Sequence, residues 1–208
     1  MTFSIFCTKY FIVFTKFKNF IFVFIPSANE IYFKKRKRKI VINKKYKILC
    51  SKFRKGHFEG VLNVMNRLMK IIKAKRIFMG EKDFQQLFLI KKYLSKKFKI
   101  KIINCPIIRD RNKVALSTRN KLLSKKNYKK ASLIAKYLTT LKNSFNIDNK
   151  NLSIILRKNI AILEDSYKIK VDYLELRNEN DLSFAKSTRK FRLFIAYNIG
   201  DVRLIDNF

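Results

Sequence analysis

Lys82 stands in Gly80-Glu81-Lys82-Asp83-Phe84-Gln85-Gln86, between a short apolar run and an amphipathic stretch. A lysine at a helix start is locally unfavourable, because aligned peptide dipoles already place partial positive charge there. That cost is offset when an anion binds at the same point, held by free N–H groups and the ammonium together. Gly80 lets the backbone come close to such a ligand. The competing reading is a surface turn in a lysine-rich chain. A second set of donors lies in Leu116-Ser117-Thr118-Arg119, where two adjacent hydroxyls and a guanidinium can serve phosphate oxygens. Read alone, this is an ordinary polar loop ahead of a helix. His57, in Gly56-His57-Phe58-Glu59-Gly60, reads as a turn or capping residue or, near a phosphate site, as a donor to a nucleotide. It is the only histidine, so a metal site needing two is excluded. Cys7, Cys50 and Cys105 are odd in number and widely spaced, which argues against a disulfide framework or zinc site and fits a reducing cytoplasm.

The pattern around Lys82 supplies the elements that must hold it. Arg76 to Met79 has the length and composition of a buried strand, and Leu87, Ile90 and Leu94 recur at helical spacing. Asp83 and Gln86 have the form of a reciprocal N-cap pair. A second strand over Lys99 to Asn104 completes a βαβ unit, expected to cross over right-handed. Upstream, Phe20 to Phe24 reads as a strand ended by Pro26, with a loop at Ser27-Ala28-Asn29, and Ile40-Val41-Ile42 as a short strand. The GHFEG stretch opens a helix presenting Val61, Val64 or Met65, Leu68 and Ile72 on one face. Downstream, helices are expected from Lys125 to about Ser144, capped by Ser124, and from Asn151 to about Ser166. Strands follow at Lys168 to Leu176, Phe191 to Asn198 and Val202 to Ile205, the last two joined at Gly200-Asp201. The fold class is α/β. A boundary near Asn120 separates residues 1–120 from a small α+β unit, 121–208, of two helices and an antiparallel sheet.

The 208 residues are 48% hydrophobic, enough for a real core. A net charge of +35 and the run Lys34 to Lys39 raise a competing function, binding of nucleic acid or an anionic membrane. Abundant Phe, Lys, Ile, Asn and Tyr with scarce Gly, Pro and Trp also fit an A/T-rich coding bias, which makes an ordinary enzyme look basic. The charge is spread along the chain, which favours the bias. Lysines interrupt residues 1–25 before any run reaches the ~18 apolar residues needed to span a bilayer, and no signal-peptide pattern is present.

Taken in order, GHFEGV, FMGEKDFQQL, PIIRD with ALSTRN, and GDVRLIDN resemble the pantothenate synthetase family, from about Phe20 (including IPSANEIY) to the C-terminus. The resemblance implies a partial Rossmann-like domain of the nucleotidyltransferase superfamily. It implies a cytoplasmic ligase that condenses pantoate with β-alanine using ATP and Mg²⁺ through a pantoyl adenylate, and a homodimer with no nucleic-acid or membrane partner. Gly80, Glu81, Lys82 and Asp83 then form the ATP-binding turn, with Lys82 at the phosphates and Asp83 and the Gly80 backbone at the ribose. Leu116, Ser117, Thr118 and Arg119 form a phosphate-clasping loop, in which Thr118 keeps the usual hydroxyl but adds a methyl. Catalysis falls to Lys82, Ser117, Thr118 and Arg119. Ile108 takes a backbone contact to the adenine end, and Gln86 hydrogen-bonds pantoate; His57 belongs to a different motif and stands beside them as a substrate-binding candidate. No protein-held metal is implied. The family's opening strand and His-x-Gly-His turn have no counterpart, so the expectation is a chain lacking the first nucleotide-binding half. It would be a truncated product, a mis-called start or an inactive remnant.

Overall fold

The computed structural model describes the backbone of residues 10–14 and 20–23 and all atoms of 24–32, 40–145, 151–185 and 190–208. The basic run at Lys34 to Lys39 lies outside the described residues. Strands β1 (Tyr10–Phe14) and β2 (Phe20–Phe24) pair antiparallel. The expected loop after Pro26 is instead a one-turn helix, α1 (Ala28–Ile31). A capping box makes it, because the Ser27 hydroxyl accepts from the Glu30 N–H and the Glu30 carboxylate accepts from the Ser27 N–H. Ile40-Val41-Ile42 is not a strand. Ile42 is buried, but among the described residues no strand pairs with the run, and a short apolar stretch is not by itself a strand.

Helix α2 (Cys50–Phe53) is a single turn, and α3 (His57–Ile72) follows Gly56, whose φ of 74° suits a glycine. The buried stripe of α3 is Phe58, Leu62 and Met69, with Val61 and Met65 packed beside it. Ile72, expected inward, is 54% exposed at the helix end. The βαβ unit is present, but its first strand is not buried as expected: Phe78 is 68% exposed, because among the described residues that strand pairs only with the second one and its outer face is uncovered. Strands β3 (Arg76–Gly80) and β4 (Lys101–Cys105) pair parallel through α4 (Phe84–Phe98), which buries Leu87, Ile90 and Leu94. Asp83 makes no side-chain capping bond. A 3₁₀ turn at Glu81–Asp83 leads into α4, so the expected reciprocal pair with Gln86 does not form.

Helices α5 (Lys125–Ser144) and α6 (Leu152–Tyr167) come next, and the Ser124 hydroxyl accepts from the Asn127 N–H at the start of α5. Strands β5 (Lys170–Asn178), β6 (Phe191–Ile199) and β7 (Val202–Asn207) form an antiparallel sheet in that order. The two-residue turn between β6 and β7 places Gly200 at a φ of 56°. Alternation along β6 decides the packing. Leu193, Ile195 and Tyr197 face the cluster built on α5 and α6, while Phe194 and Ala196 face the cluster built on α3 and α4. One sheet therefore joins both cores, and its β7 edge lies beside the Glu81–Asp83 turn. Among the described residues no helix is long and apolar enough to cross a membrane.

Candidate functional site

A cavity of about 280 Å³ opens where the start of α4, the start of α3, the 3₁₀ turn Thr118–Leu122 and strand β7 converge. Of the sequence-predicted residues, His57, Lys82, Asp83, Gln86, Ser117, Thr118 and Arg119 line it. These come from three segments far apart in the chain, and the fold brings them to one space. Gly80, Glu81, Ile108 and Leu116 are not among the lining residues. Gly80 is extended (φ −68°) with open space where a side chain would be, so room for a ligand, not backbone strain, is what glycine offers here. The Glu81 carboxylate turns away, 3.3 Å from Arg192 Nη2, and it accepts from Asn104 Nδ2 at 3.1 Å. Ile108 is 70% exposed, and its carbonyl accepts from the Leu116 N–H.

The loop Leu116–Arg119 is held by several contacts. Arg109 and Ala115 bridge across a turn in which Asp110 Oδ1 accepts from the N–H groups of Asn112 and Val114. Ser117 Oγ accepts from the Arg119 N–H, and Asn120 Nδ2 donates to the Ala115 carbonyl. Arg119 Nη1 donates to the Arg203 carbonyl of β7 at 3.0 Å. The rest of that guanidinium stays available to the cavity.

Charge in the cavity is uneven. Arg203 is paired with Asp172 (2.7 Å) and Asp206 with Arg109 (2.7 Å), both partly buried. Arg54, Lys82 and Arg119 enter no ion pair among the described residues. Three cations without an ion-pair partner among the described residues, around one cavity, suit a polyanion. His57 feels the same field. Burial first, then Arg54 and Arg119, hold its pKa below the usual imidazole value, against the pull of Asp83. An arriving anion would reverse that balance. Among the described residues no cluster of His, Cys, Asp and Glu could hold a metal ion by itself.

Several lining residues were not singled out from sequence. Arg203, Asp206 and Asn207 reach the cavity from β7, and Cys50 reaches it from α2. Cys50 Sγ lies 3.1 Å from the buried Tyr173 hydroxyl, whose pKa burial pushes well up. One sequence signal did exist for β7. Asp and Asn are poor strand formers, and two of them ending an apolar strand signal a task other than packing.

The chain matches a family model described as pantoate-beta-alanine ligase over residues 13–208. The pantothenate synthetase of Endomicrobium trichonymphae is 38% identical over 188 residues, 89% of this chain and 66% of the relative. That of Caldicellulosiruptor bescii is 34% identical over 189 residues, 89% of this chain and 67% of the relative. Among solved structures, pantothenate synthetase from Thermus thermophilus superposes with a TM-score of 0.76 at 26% identity, covering 88% of this chain and 67% of that one. Pantoate-beta-alanine ligase from Francisella tularensis, complexed with beta-gamma ATP and beta-alanine, gives 0.66 at 34% identity, covering 88% and 62%. The chain thus spans about two thirds of the length of the relatives it matches.

Proposed function

Because this chain belongs to the pantoate-beta-alanine ligase family, we propose that it takes part in the ATP-dependent condensation of pantoate with β-alanine through a pantoyl adenylate. The observation that carries the reading is the convergence of Lys82, Gln86 and the Ser117–Arg119 loop on one cation-rich cavity. In the first step a pantoate carboxylate oxygen bonds to the α-phosphorus of ATP, and the bond to the bridging oxygen breaks to release pyrophosphate. In the second, the neutral β-alanine amine bonds to the acyl carbon, AMP leaves with the electron pair of the broken acyl–phosphate anhydride bond, and the amine's surplus proton passes to solvent. Lys82 and Arg119 meet the charge that grows on the phosphate oxygens, with Ser117 and Thr118 as hydroxyl donors. Fixed positive charge and fixed donors favour that step because they need no reorganisation as charge develops. Asp83 and the Gly80 backbone take the ribose, the Ile108 backbone takes the adenine end, and Leu116 opens the loop that clasps the phosphates. Glu81 supports the turn from behind. Gln86 orients pantoate, and His57 is a further donor to the substrates.

Magnesium fits this cavity as a companion of the nucleotide. Asp83 lines the cavity and enters no ion pair among the described residues, and Mg²⁺ in such sites leans on phosphate oxygens and water with only one or two carboxylates. When bound it neutralises phosphate charge. Cytoplasmic location and assembly as a homodimer belong to the same reading.

The test measures pantoate-dependent release of pyrophosphate from ATP with Mg²⁺. The 208-residue chain is used alone and with the remaining third of a relative supplied in trans. Release in either form, lost on Lys82→Ala by a factor corresponding to ~3–4 kcal/mol, is the expected result. No ATP binding and no release in either form would overturn the proposal.

A further inference from the structure

Strand β7 ends in Asp206-Asn207, and the polar groups of Asn207 are engaged although the residue is only 2% exposed. Its Nδ2 donates to two consecutive carbonyls, those of Glu81 and Lys82, each at 3.0 Å. Its Oδ1 accepts from Arg192 Nη1 at 2.7 Å. Its backbone N–H donates to Asp206 Oδ1, and its carbonyl accepts from Arg109 Nη2. Two carbonyls on one side and a guanidinium on the other allow only one orientation of the amide. Arg192 also lies against the Glu81 carboxylate and over the Phe84 ring, 4.4 Å from its centroid. The turn therefore has Asn207 on its main chain and Arg192 on its first side chain.

Beyond these two, Asn104 Nδ2 donates to the Glu81 carboxylate, and no such bond reaches the Lys82 main chain among the described residues. The turn's own residues make no side-chain cap at either the 3₁₀ start or the helix start, and Gly80 in front has open space around it. Glu81, held outward, cannot neutralise Lys82 across the turn. The ammonium is left to the cavity.

We infer that Asn207 is a positioning residue for nucleotide binding, which aims Lys82 at the cavity by holding the carbonyls on both sides of it. The inference rests on the nucleotide reading proposed above and assigns β7 a role in it. Aspartate is nearly isosteric but cannot donate, and it sets an oxygen against both carbonyls. Serine keeps one donor and adds no charge.

The experiment titrates ATP against the full chain and four variants, Asn207→Asp, Asn207→Ser, Lys82→Ala and the double Asn207→Asp/Lys82→Ala. Far-ultraviolet circular dichroism checks that each is folded. Asn207→Asp should weaken ATP about tenfold or more, and Asn207→Ser less, as expected when donors to a buried group are lost. In the Lys82→Ala background the aspartate should add almost nothing, because residues that act through one another are not additive. If Asn207→Asp does not fold, the same cycle is run with serine. An unsubstituted chain that fails to bind ATP removes the nucleotide reading and this inference with it. If the chain binds ATP and Lys82→Ala weakens it, two results sink the role of Asn207 alone. One is an Asn207→Asp affinity equal to the unsubstituted chain. The other is an equal loss with and without Lys82, which would mark a merely structural effect.

Discussion

Arg109 and Asp206 face each other in a two-pronged ion pair, Nη1 to Oδ2 at 2.7 Å and Nη2 to Oδ1 at 3.0 Å. The pair ties the segment leading to the Ser117–Arg119 loop to strand β7, and the guanidinium covers the ring of Phe208. Burial lifts the Asp206 carboxyl above its usual range, while the bonds from Arg109 pull it back down. Arg109→Ala removes the largest downward pull and leaves the buried carboxylate with only the Asn207 N–H and the charge of Lys82 to support it. A carboxyl whose folded pKa is raised gives stability at pH below its unfolded pKa, and that stability is lost as pH rises through the folded pKa. Urea unfolding should therefore show Arg109→Ala less stable by ~3 kcal/mol near pH 7, with the deficit shrinking toward pH 4. A deficit that is constant across this range would mean that Asp206 is not the cause. Asp206→Asn in the same background should recover part of the loss.

A single histidine makes the cavity's field directly measurable. The ring protons of His57 should titrate below 6.5, the ordinary imidazole value, because burial, Arg54 and Arg119 all disfavour its cation. Arg54→Ala or Arg119→Ala should move the midpoint up, and Asp83→Asn should move it down. Bound ATP should move it up most. Folding stability follows the same sign. A histidine with a depressed pKa contributes fully above its unfolded pKa, and the contribution is lost as pH falls through the folded pKa. An NMR titration that ignored these substitutions would separate His57 from the cavity.

Arg119 commits one nitrogen to the Arg203 carbonyl and keeps the rest of the fork for a ligand. Arg119→Ala should weaken ATP about tenfold, and Arg119→Lys should keep part of that by charge alone. Equal affinities in the three proteins would reduce Arg119 to a bracket between the loop and β7.

What could be read from the sequence follows how far apart the cooperating residues lie. Arg76–Gly80, α4 and β4 were legible because a short apolar run, a helical repeat and a second strand-like run stand in order and a glycine marks the first turn, although the burial expected of Arg76–Met79 is absent. Asp83 misled. Its spacing from Gln86 fits a capping pair, but a 3₁₀ turn precedes the helix and points the aspartate at the cavity. Ile42 misled in another way, since burial alone made an apolar run look like a strand. The contacts that aim the site were not legible. Nothing near Lys82 indicates that its carbonyl is held by Asn207 from the end of the chain, or that Arg192 restrains Glu81. Tertiary packing alone makes those pairs.

Gln85 and Gln86 are the sharpest case, because adjacent identical residues have different surroundings. Gln85 is buried, and its Nε2 donates to the carbonyls of Tyr46 (3.2 Å) and Ile48 (2.8 Å), holding the segment that leads to Cys50. Its Oε1 meets no hydrogen-bond partner among the described residues. Gln86, one step around α4, is half-buried; both residues line the cavity, but only Gln85 has its amide nitrogen engaged by interior carbonyls. Gln85→Met keeps the volume but strips donors from two carbonyls in the interior, so urea unfolding should show a loss of ~2 kcal/mol. Gln86→Met should leave that curve in place and weaken pantoate about tenfold, because a polar contact made only to the ligand is lost only when ligand binds. Measuring both curves on both variants decides it. If Gln86→Met lowers stability while Gln85→Met selectively weakens pantoate, the two glutamines have been assigned the wrong way round, and the pantoate side of the cavity with them.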